Sequence, residues 1–294
     1  MFEGFETTDI DVAGVRIHVR VGGDGPPVLL LHGYPETGAM WHRVAPALAE
    51  RHTVVVPDLR GYGDSGKPPS DHDHAAYSKR AMAADQTGLM TELGHQAFAV
   101  VGHDRGARVA HRMALDHGDR VDRVAVLDIV PTRHVFAHVD RLLATVYDHW
   151  FFLAEPPDLP EVLIGGAPEY FLRRKLDQWS GPQAAFDDEA MSEYVRCFTD
   201  PDTIRASCED YRAGASIDLV HDDESYAAGD RVTCPLLVVW GEHGFVGVAY
   251  DALEVWRDYA DTPDLVTGLA VPCGHFVPEE APAETIAALR AFLG

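Results

Sequence analysis

The chain has 294 residues, with 24 Lys and Arg against 47 Asp and Glu, which gives a formal net charge of −23. This balance excludes nucleic acid as a main partner, because phosphate backbones are bound by basic surfaces, and it disfavours binding to anionic membranes. Hydrophobic residues at 46% and charged residues at 24% are ordinary for a globular protein, so disorder, collagen and coiled coil are also excluded.

The cysteines and the N-terminal segment favour an intracellular protein. Cys197, Cys208, Cys234 and Cys273 lie far apart, and none forms the C-x-x-C pair of a zinc or redox site. The N-terminal segment is acidic and lacks the apolar stretch of a secretory signal. No run approaches the ~18 consecutive apolar residues of a membrane span. We therefore expect a cytoplasmic protein with reduced thiols.

Predicted strands and helices alternate through the first 127 residues. Apolar or alternating runs predict strands over 15–21, 28–31, 53–56, 97–101 and 124–127. Helical spacing predicts helices over 41–49, 79–93 and 107–117, the second of them capped by Ser78. This alternation is typical of a parallel sheet with helices on both faces, which is an α/β fold.

The alternation stops after Pro131. From there to about Asp230 the sequence is helical and rich in aromatic residues, without a clear apolar strand. Strands are predicted again over 235–240 and 265–271, and helices over 253–259 and 283–293. We therefore predict one α/β core formed by residues 1–130 and 231–294, with residues 131–230 inserted as a helical cap.

The segment Gly102-His103-Asp104-Arg105-Gly106 joins a predicted strand to a predicted helix. It matches the G-x-nucleophile-x-G elbow, in which small flanking residues permit a tight turn. A carboxylate at its centre can attack an sp³ carbon and form an ester, whereas it cannot act as a serine esterase. The five residues fit an Asp that merely caps a helix about equally well.

Two other segments stand where this layout needs them. His32-Gly33-Tyr34-Pro35 follows the first core strand, so the backbone N–H groups of Tyr34 and Arg105 would face one oxygen of an Asp104 ester. His275 follows the last predicted strand, at the place of the general base. The chain order of nucleophile, acid and histidine also fits this layout.

The acid that orients His275 has two candidates. Asp128 ends the strand predicted over 124–127, and Glu242 follows the strand that ends at Trp240. We prefer Asp128 because it lies directly at the carboxyl end of a strand.

Arg105 and Arg108 are three residues apart on the first turn of the predicted helix, so both can face one side. Two cations at a helix N-terminus are unfavourable with the dipole, and Asp104 compensates only one of them. The remaining positive charge suits a carboxylate ligand, which the guanidinium fork binds in a bidentate manner. The alternative is a pair of salt bridges with the abundant acidic residues.

The sequence resembles the fluoroacetate (haloacetate) dehalogenases of the α/β-hydrolase superfamily. The resemblance rests on HGYPETGAMWHRVAP at 32–46, GHDRGARVAHRMALD at 102–116, AVLDIVPT at 125–132, HW at 149–150, CEDYRAGA at 208–215 and GHFVPEEAP at 274–282. It departs at Tyr34, where some members carry Phe, but only the backbone of that residue is needed.

The resemblance implies a role for each of a set of residues. By this resemblance Asp104 is the nucleophile, His275 the base and Asp128 its acid partner. Arg105 and Arg108 would bind the substrate carboxylate, and the halide would be bound by His149, Trp150 and Tyr211. A haloacetate would be displaced by Asp104, and the resulting ester hydrolysed by water that His275 activates. The implied partner is a small anionic haloacid, the implied assembly a homodimer, and neither a metal nor an organic cofactor is expected.

Two other functions remain open. An epoxide hydrolase shares the Asp nucleophile and needs acidic phenols in the cap, for which the sequence offers Tyr147, Tyr170, Tyr194 and Tyr211. The paired arginines argue against it, because a neutral epoxide has no use for them. A non-catalytic ligand-binding homologue would be expected to lose a member of the triad, and all three are present.

The remaining polar and aromatic motifs favour structural roles. The run 71–74, Asp-His-Asp-His, could bind a metal but is better explained as a polar loop before a helix cap. Packing roles are expected for Trp179, Trp240 and Trp256, and turn roles for Asp58 and Asp64.

Overall fold

The computed structural model describes residues 1–182, 184 and 186–294. One eight-stranded sheet runs through it in the order β1-β2-β4-β3-β5-β6-β7-β8. The strands are β1 Phe5–Val12, β2 Val15–Gly22, β3 Pro27–Leu31, β4 Thr53–Pro57, β5 Phe98–His103, β6 Val121–Leu127, β7 Leu236–Gly241 and β8 Val266–Val271. The pairs β1–β2 and β2–β4 are antiparallel and all other pairs are parallel, as the predicted α/β fold requires.

The core helices follow the strands. They are α1 Ala45–Leu48, α2 Lys79–Glu92, α3 Arg105–Asp116, α12 Phe245–Ala249, α13 Ala252–Asp258, α14 Val277–Glu280 and α15 Pro282–Leu293. Between β6 and β7 the described residues form the helices α4 Thr132–Ala137, α5 Arg141–Val146, α6 Asp148–Phe152, α7 Leu159–Gly165, α8 Pro168–Trp179, α9 Asp188–Phe198, α10 Pro201–Gly214 and α11 Ile217–Ala228. Residues 131–230 are called the cap below and the remainder the core.

The central strands are buried because helices cover both faces of the sheet. Leu29, Val55, Val100, Val126 and Val238 are all 0% exposed. Such strands are near-continuous apolar runs, which is why their sequences are recognisable. Among the described residues no helix is both long and apolar enough to cross a membrane.

Several elements differ from the sequence-based expectation, among them the short helices α12 and α14, which were not predicted, and two elements in the first 60 residues. The helix predicted over 41–49 is a 3₁₀ turn, Gly38–Trp41, followed by the single turn α1. Pro46 lies in the middle of that segment and cannot donate to an α-helical ladder, so a continuous helix does not form. The edge strand β1 was not predicted as a separate element, since most of its side chains are polar and exposed.

Candidate active site

Asp104 occupies the turn between β5 and α3. Its backbone has φ +44° and ψ −114°, a conformation that is strained for a residue with a side chain. The turn closes tightly, because a Cβ on Gly102 would lie 2.4 Å from the carbonyl oxygen of Gly106, and one on Gly106 2.4 Å from that of His32. The glycines therefore permit the turn, and the turn presents the Asp104 carboxylate at the N-terminus of α3.

The backbone N–H of Tyr34 donates to Oδ2 of Asp104 at 3.1 Å. Gly33 allows this approach, since a Cβ there would lie 2.7 Å from Cβ of Asp104. The N–H of Arg105 has no hydrogen-bond partner in the described part of the chain, as expected for the first residue of a helix. The N–H of Tyr34 thus contacts the Asp104 carboxylate, and the N–H of Arg105 has no competing hydrogen-bond partner among the described residues.

His275 and Asp128 meet beside the nucleophile turn. Nδ1 of His275 lies 2.6 Å from Oδ2 of Asp128, and the N–H of Gly241 donates to Oδ1 of Asp128 at 3.0 Å. The Asp128 side chain is fully buried, whereas the alternative acid Glu242 is exposed. The carboxylate that orients His275 in this structure is therefore that of Asp128.

The charges of these groups act on one another. Burial by itself would raise the pKa of Asp104, but His275, Arg108 and Arg105 together hold it below its ordinary value. Burial opposes protonation of His275, yet its hydrogen bond to Asp128 and the charges of Asp128 and Asp104 raise its pKa above the ordinary value. The free site therefore favours an ionised Asp104.

The two arginines are in different electrostatic situations. Nε of Arg105 donates to Oδ2 of Asp210 at 2.9 Å, and its Nη2 donates to Oδ1 of Asp210 at 2.7 Å. Nη1 of Arg108 donates to the carbonyl oxygen of Val130 and to Oγ1 of Thr132, both at 3.0 Å. Arg108 forms no salt bridge with any residue that the structure describes. The unpaired positive charge expected from the sequence is thus that of Arg108.

Asp210 is a residue that sequence reasoning missed. It is fully buried on α10 and also accepts hydrogen bonds from Nζ of Lys79 and from the hydroxyl of Tyr62. The expectation that Asp104 compensates one arginine overlooked this acid, which pairs with Arg105 across the core–cap boundary. The only available indication was its position inside the family segment at 208–215.

The proposed halide ligands come from two cap helices. His149 and Trp150 lie in the first turn of the five-residue α6, and Tyr211 lies on α10, with its ring centre 5.6 Å from that of His149. Nδ1 of His149 and the hydroxyl of Tyr211 are buried without a partner among the described residues. Burial keeps the pKa of His149 well below its ordinary value, so its imidazole is neutral.

The same aromatic side chains contact the arginines. Cζ of Arg105 lies 4.2 Å from the ring centre of Tyr211, and Cζ of Arg108 lies 4.6 Å from a ring centre of Trp150. These are cation–π distances. The proposed halide and carboxylate ligands therefore form one continuous group.

A cavity of about 100 Å³ opens onto Asp104 and His275, and its wall includes Tyr147, His149, Trp150 and Trp179. It is small beside the roughly 300–1,000 Å³ of clefts that take drug-sized ligands. Arg105, Arg108 and Tyr211 are not part of this wall; Arg108 contacts Trp150 and Tyr211 contacts His149, whereas the Arg105 side chain contacts Tyr211 behind the wall. The cavity is therefore suited to a very small substrate.

Trp179 packs among neighbouring rings, as predicted, but it also has a place in the cavity wall that was not predicted. Its ring lies 4.3 Å from that of His149, it lines the cavity, and its Nε1 is buried without a partner among the residues described. Trp256 does pack, with its Nε1 donating to the carbonyl oxygen of Ile129 at 2.9 Å. No motif distinguishes the two tryptophans in the sequence.

The acidic motifs away from the cavity have structural partners. Asp58 accepts from the N–H groups of Gly38 and Asp64, at 2.8 and 2.9 Å, as a turn residue does. Oδ1 of Asp73 accepts from the N–H of Ala75 at 3.0 Å within the loop before α2.

Comparison with known proteins agrees with this architecture. A family model of the α/β hydrolase fold matches residues 26–282. A fluoroacetate dehalogenase from Burkholderia sp. is 48% identical over 296 residues, which cover 100% of this chain and 95% of the relative. The chain belongs to the haloacetate dehalogenase family of the α/β-hydrolase superfamily. The family and the fold class predicted from the sequence are thereby confirmed.

Other matches show what this dehalogenase family borders on. A soluble epoxide hydrolase from Corynebacterium sp. is 39% identical, over 92% of this chain and 91% of its own length. A crystal structure of a putative α/β hydrolase from Nostoc sp. has a TM-score of 0.97 and 53% identity, and the match covers 100% of this chain and 99% of that one. The common fold therefore includes the cap.

Proposed function

We propose that the protein is a hydrolytic dehalogenase that converts 2-haloacetates such as fluoroacetate to glycolate and halide through an aspartyl ester. The observation that carries this proposal is the buried, unpaired guanidinium of Arg108 beside an Asp104 held in a nucleophile turn. An anionic substrate supplies the missing negative charge, which a neutral substrate cannot do. The 48% identical relative named fluoroacetate dehalogenase supports the same substrate class.

In the first step, an oxygen of Asp104 attacks the carbon that bears the halogen. A C–O bond forms as the C–X bond breaks, with inversion if that carbon is chiral, and the halide leaves with the electron pair. His149, Trp150 and Tyr211 donate to the departing halide, and Arg108 holds the substrate carboxylate, assisted by Arg105. Stabilising charge where it develops is the main electrostatic contribution to such a step.

In the second step, His275 takes a proton from a water molecule, and that water attacks the ester carbonyl of Asp104. The N–H groups of Tyr34 and Arg105 stabilise the resulting oxyanion. Collapse breaks the acyl C–O bond, and His275 returns its proton to the departing oxygen, which gives glycolate. The Asp104 carboxylic acid that is left releases the net proton and becomes a carboxylate again. The net reaction consumes one water molecule and yields glycolate, halide and one proton.

The two steps are coupled through the charge of Asp104. That charge is one cause of the raised pKa of His275 in the free site. Ester formation neutralises Asp104, so the pKa of His275 falls when a neutral base is needed. The first step needs no base. The second step needs a neutral His275, and ester formation in the first step favours that neutral form.

The test is to measure halide and glycolate release from fluoroacetate, chloroacetate and a neutral chloroalkane in parallel. We expect stoichiometric halide and glycolate from the two acids and no halide from the chloroalkane. Turnover of the chloroalkane alone would contradict the role of Arg108 and the proposal with it.

Epoxide hydrolysis is a second candidate because two of the four cap phenols named from the sequence are at the site. Tyr147 lines the cavity and Tyr211 contacts His149, whereas Tyr170 is 72% exposed and Tyr194 donates to Glu279. Burial raises the pKa of Tyr147 and of Tyr211 well above the ordinary value, which keeps both as proton donors. Diol formation from styrene oxide at a rate above that of haloacetate turnover would favour this alternative.

Two further expectations belong to this proposal. We propose a homodimer, as the family resemblance implies, and a cytoplasmic location, as the cysteine usage implies. Light scattering of the purified chain tests the first, and fractionation of the source cells tests the second.

A further inference from the structure

Tyr147 and Phe245 form an aromatic pair across the boundary between cap and core. Their ring centres are 4.3 Å apart, and both side chains line the cavity. The Tyr147 ring also stacks on that of Trp150, with centres 5.6 Å apart and planes 15° from parallel. The pair therefore closes one side of the cavity as a continuous apolar wall.

The backbone fixes this wall from both sides. Tyr147 lies at the bend between α5 and α6, where its N–H donates to Leu143 and its carbonyl oxygen accepts from Trp150, at 2.7 and 2.9 Å. Phe245 begins α12 directly after Gly244, where a Cβ would lie 3.2 Å from the Asp128 carboxylate. The backbone positions from which both rings extend are therefore fixed by the start of α6 and by the segment that packs on Asp128.

The other sides of the reacting carbon are already assigned. Asp104 approaches from one side, and the halide leaves toward His149 and Trp150 on the opposite side. The substrate carboxylate faces the arginines, and Trp179 stands beside His149 and His275. The two remaining substituents of the carbon, which are hydrogens in a haloacetate, are left to face the apolar wall.

We infer that Tyr147 and Phe245 determine substrate size, admitting hydrogen on the halogen-bearing carbon and rejecting a methyl group or anything larger. This inference rests on the proposed dehalogenase function and deepens it. One methyl group in a fixed apolar pocket changes kcat/KM by roughly tenfold to two-hundredfold. We therefore expect a preference for chloroacetate over each enantiomer of 2-chloropropionate within that range.

The experiment compares kcat/KM for chloroacetate and for the two 2-chloropropionates in the full-length protein. Phe245→Ala and Tyr147→Ala should each raise the ratio of 2-chloropropionate to chloroacetate turnover by about tenfold or more. Tyr147→Phe keeps the ring and removes only the hydroxyl, so the ratio should stay within about twofold. Phe245→Leu provides a milder enlargement if an alanine variant fails to fold, with a smaller rise expected.

Phe171→Ala is the matched control, because it removes a phenyl ring of the cap that does not line the cavity. If it raises the ratio as much as Phe245→Ala, general loosening explains the effect and the inference is overturned. A wild-type ratio near one, or a ratio that Phe245→Ala and Phe245→Leu leave unchanged, also overturns it while chloroacetate turnover remains. Absence of haloacetate turnover in the wild-type protein would instead refute the proposed function and the inference together.

Discussion

The core and the cap contribute to the site in different ways. The core residues Asp104, Asp128 and His275 each follow a strand, and backbone geometry or backbone hydrogen bonds fix them. The cap residues, such as His149 and Trp150, come from short helices and are fixed by ring contacts with one another. The residues proposed to carry out the reaction are thus held by the sheet, whereas the residues proposed to bind the halide are held by side-chain packing within the cap. Substitutions in the two regions should therefore fail differently.

The largest effects are expected for the core. Asp104→Asn should reduce kcat by about 10⁴-fold or more, because an amide is a poor nucleophile. His275→Asn should allow the first step and stop the second, leaving a carboxymethyl ester on Asp104. Intact-protein mass spectrometry after incubation with chloroacetate measures this adduct.

The role of Asp128 is tested in the same way, with the alternative acid Glu242 as the matched control. Asp128→Asn should slow ester hydrolysis strongly, whereas Glu242→Gln should behave like the wild-type protein, since Glu242 is exposed and does not contact His275. An unmodified His275→Asn protein that still binds chloroacetate would contradict covalent catalysis.

The next test uses Arg105 and Arg108, because both lie on the core helix α3 and contact side chains of the cap. Arg108→Lys should reduce kcat/KM on chloroacetate by about a hundredfold, as a point charge replaces a guanidinium fork that has no salt bridge among the described residues. Arg105→Lys should affect kcat/KM less but lower the unfolding free energy by about 1–3 kcal/mol, because it weakens the buried pair with Asp210. Steady-state kinetics and thermal melts of both variants measure these two effects. A larger loss of activity in Arg105→Lys, together with a larger loss of stability in Arg108→Lys, would exchange the roles of the two arginines.

The contrast between core and cap also explains what the sequence could predict. The buried strands were predicted within a residue or two, since each is an apolar run bounded by turns; the exception is β6, which begins at Val121, three residues before the predicted start, because Asp122 and Arg123 interrupt its apolar run. Asp104 and His275 were found because a strand end and a motif coincide there. Asp210 and Trp179 were missed because their significance depends on Arg105 and His149, which are distant in sequence and become neighbours only when the cap folds onto the core.

Within the cap, a comparison of fluoroacetate with chloroacetate distinguishes a halide-binding role of Trp150 from a packing role. Fluoride is a poorer leaving group than chloride, so it needs more hydrogen-bond donation as charge develops. Trp150→Phe removes the indole N–H and keeps an aromatic face for Arg108. We expect fluoroacetate turnover to fall about tenfold to a hundredfold further than chloroacetate turnover. Equal proportional losses on the two substrates would leave Trp150 with a packing role only.

The last prediction concerns stability, not activity, where cap and core meet. The hydroxyl of Tyr194 in the cap donates to Glu279 of the core, whose side chain is almost completely buried. Burial raises the pKa of Glu279 to about 7 from 4.5. Glu36 is also buried, without a partner for either oxygen among the described residues, so burial raises its pKa as well. The folded protein therefore keeps protons that the unfolded chain releases.

The direction of the pH dependence follows from that difference. A folded pKa above the unfolded one contributes stability that is complete below about pH 4.5 and is lost as the pH rises through about 7. Because a tenfold change in a protonation equilibrium is worth about 1.4 kcal/mol, Glu279→Gln should leave Tm unchanged near pH 4.5 and raise it by about 5 °C near pH 8. Glu280→Gln is the matched control, because the Glu280 carboxylate accepts from the N–H groups of Gly181, Gly274 and Phe276, and the variant should lower Tm near pH 8. A Glu279→Gln protein whose Tm differs from wild type equally at both pH values would show that the pKa of Glu279 is the same in the folded and the unfolded chain, which would contradict the raised pKa.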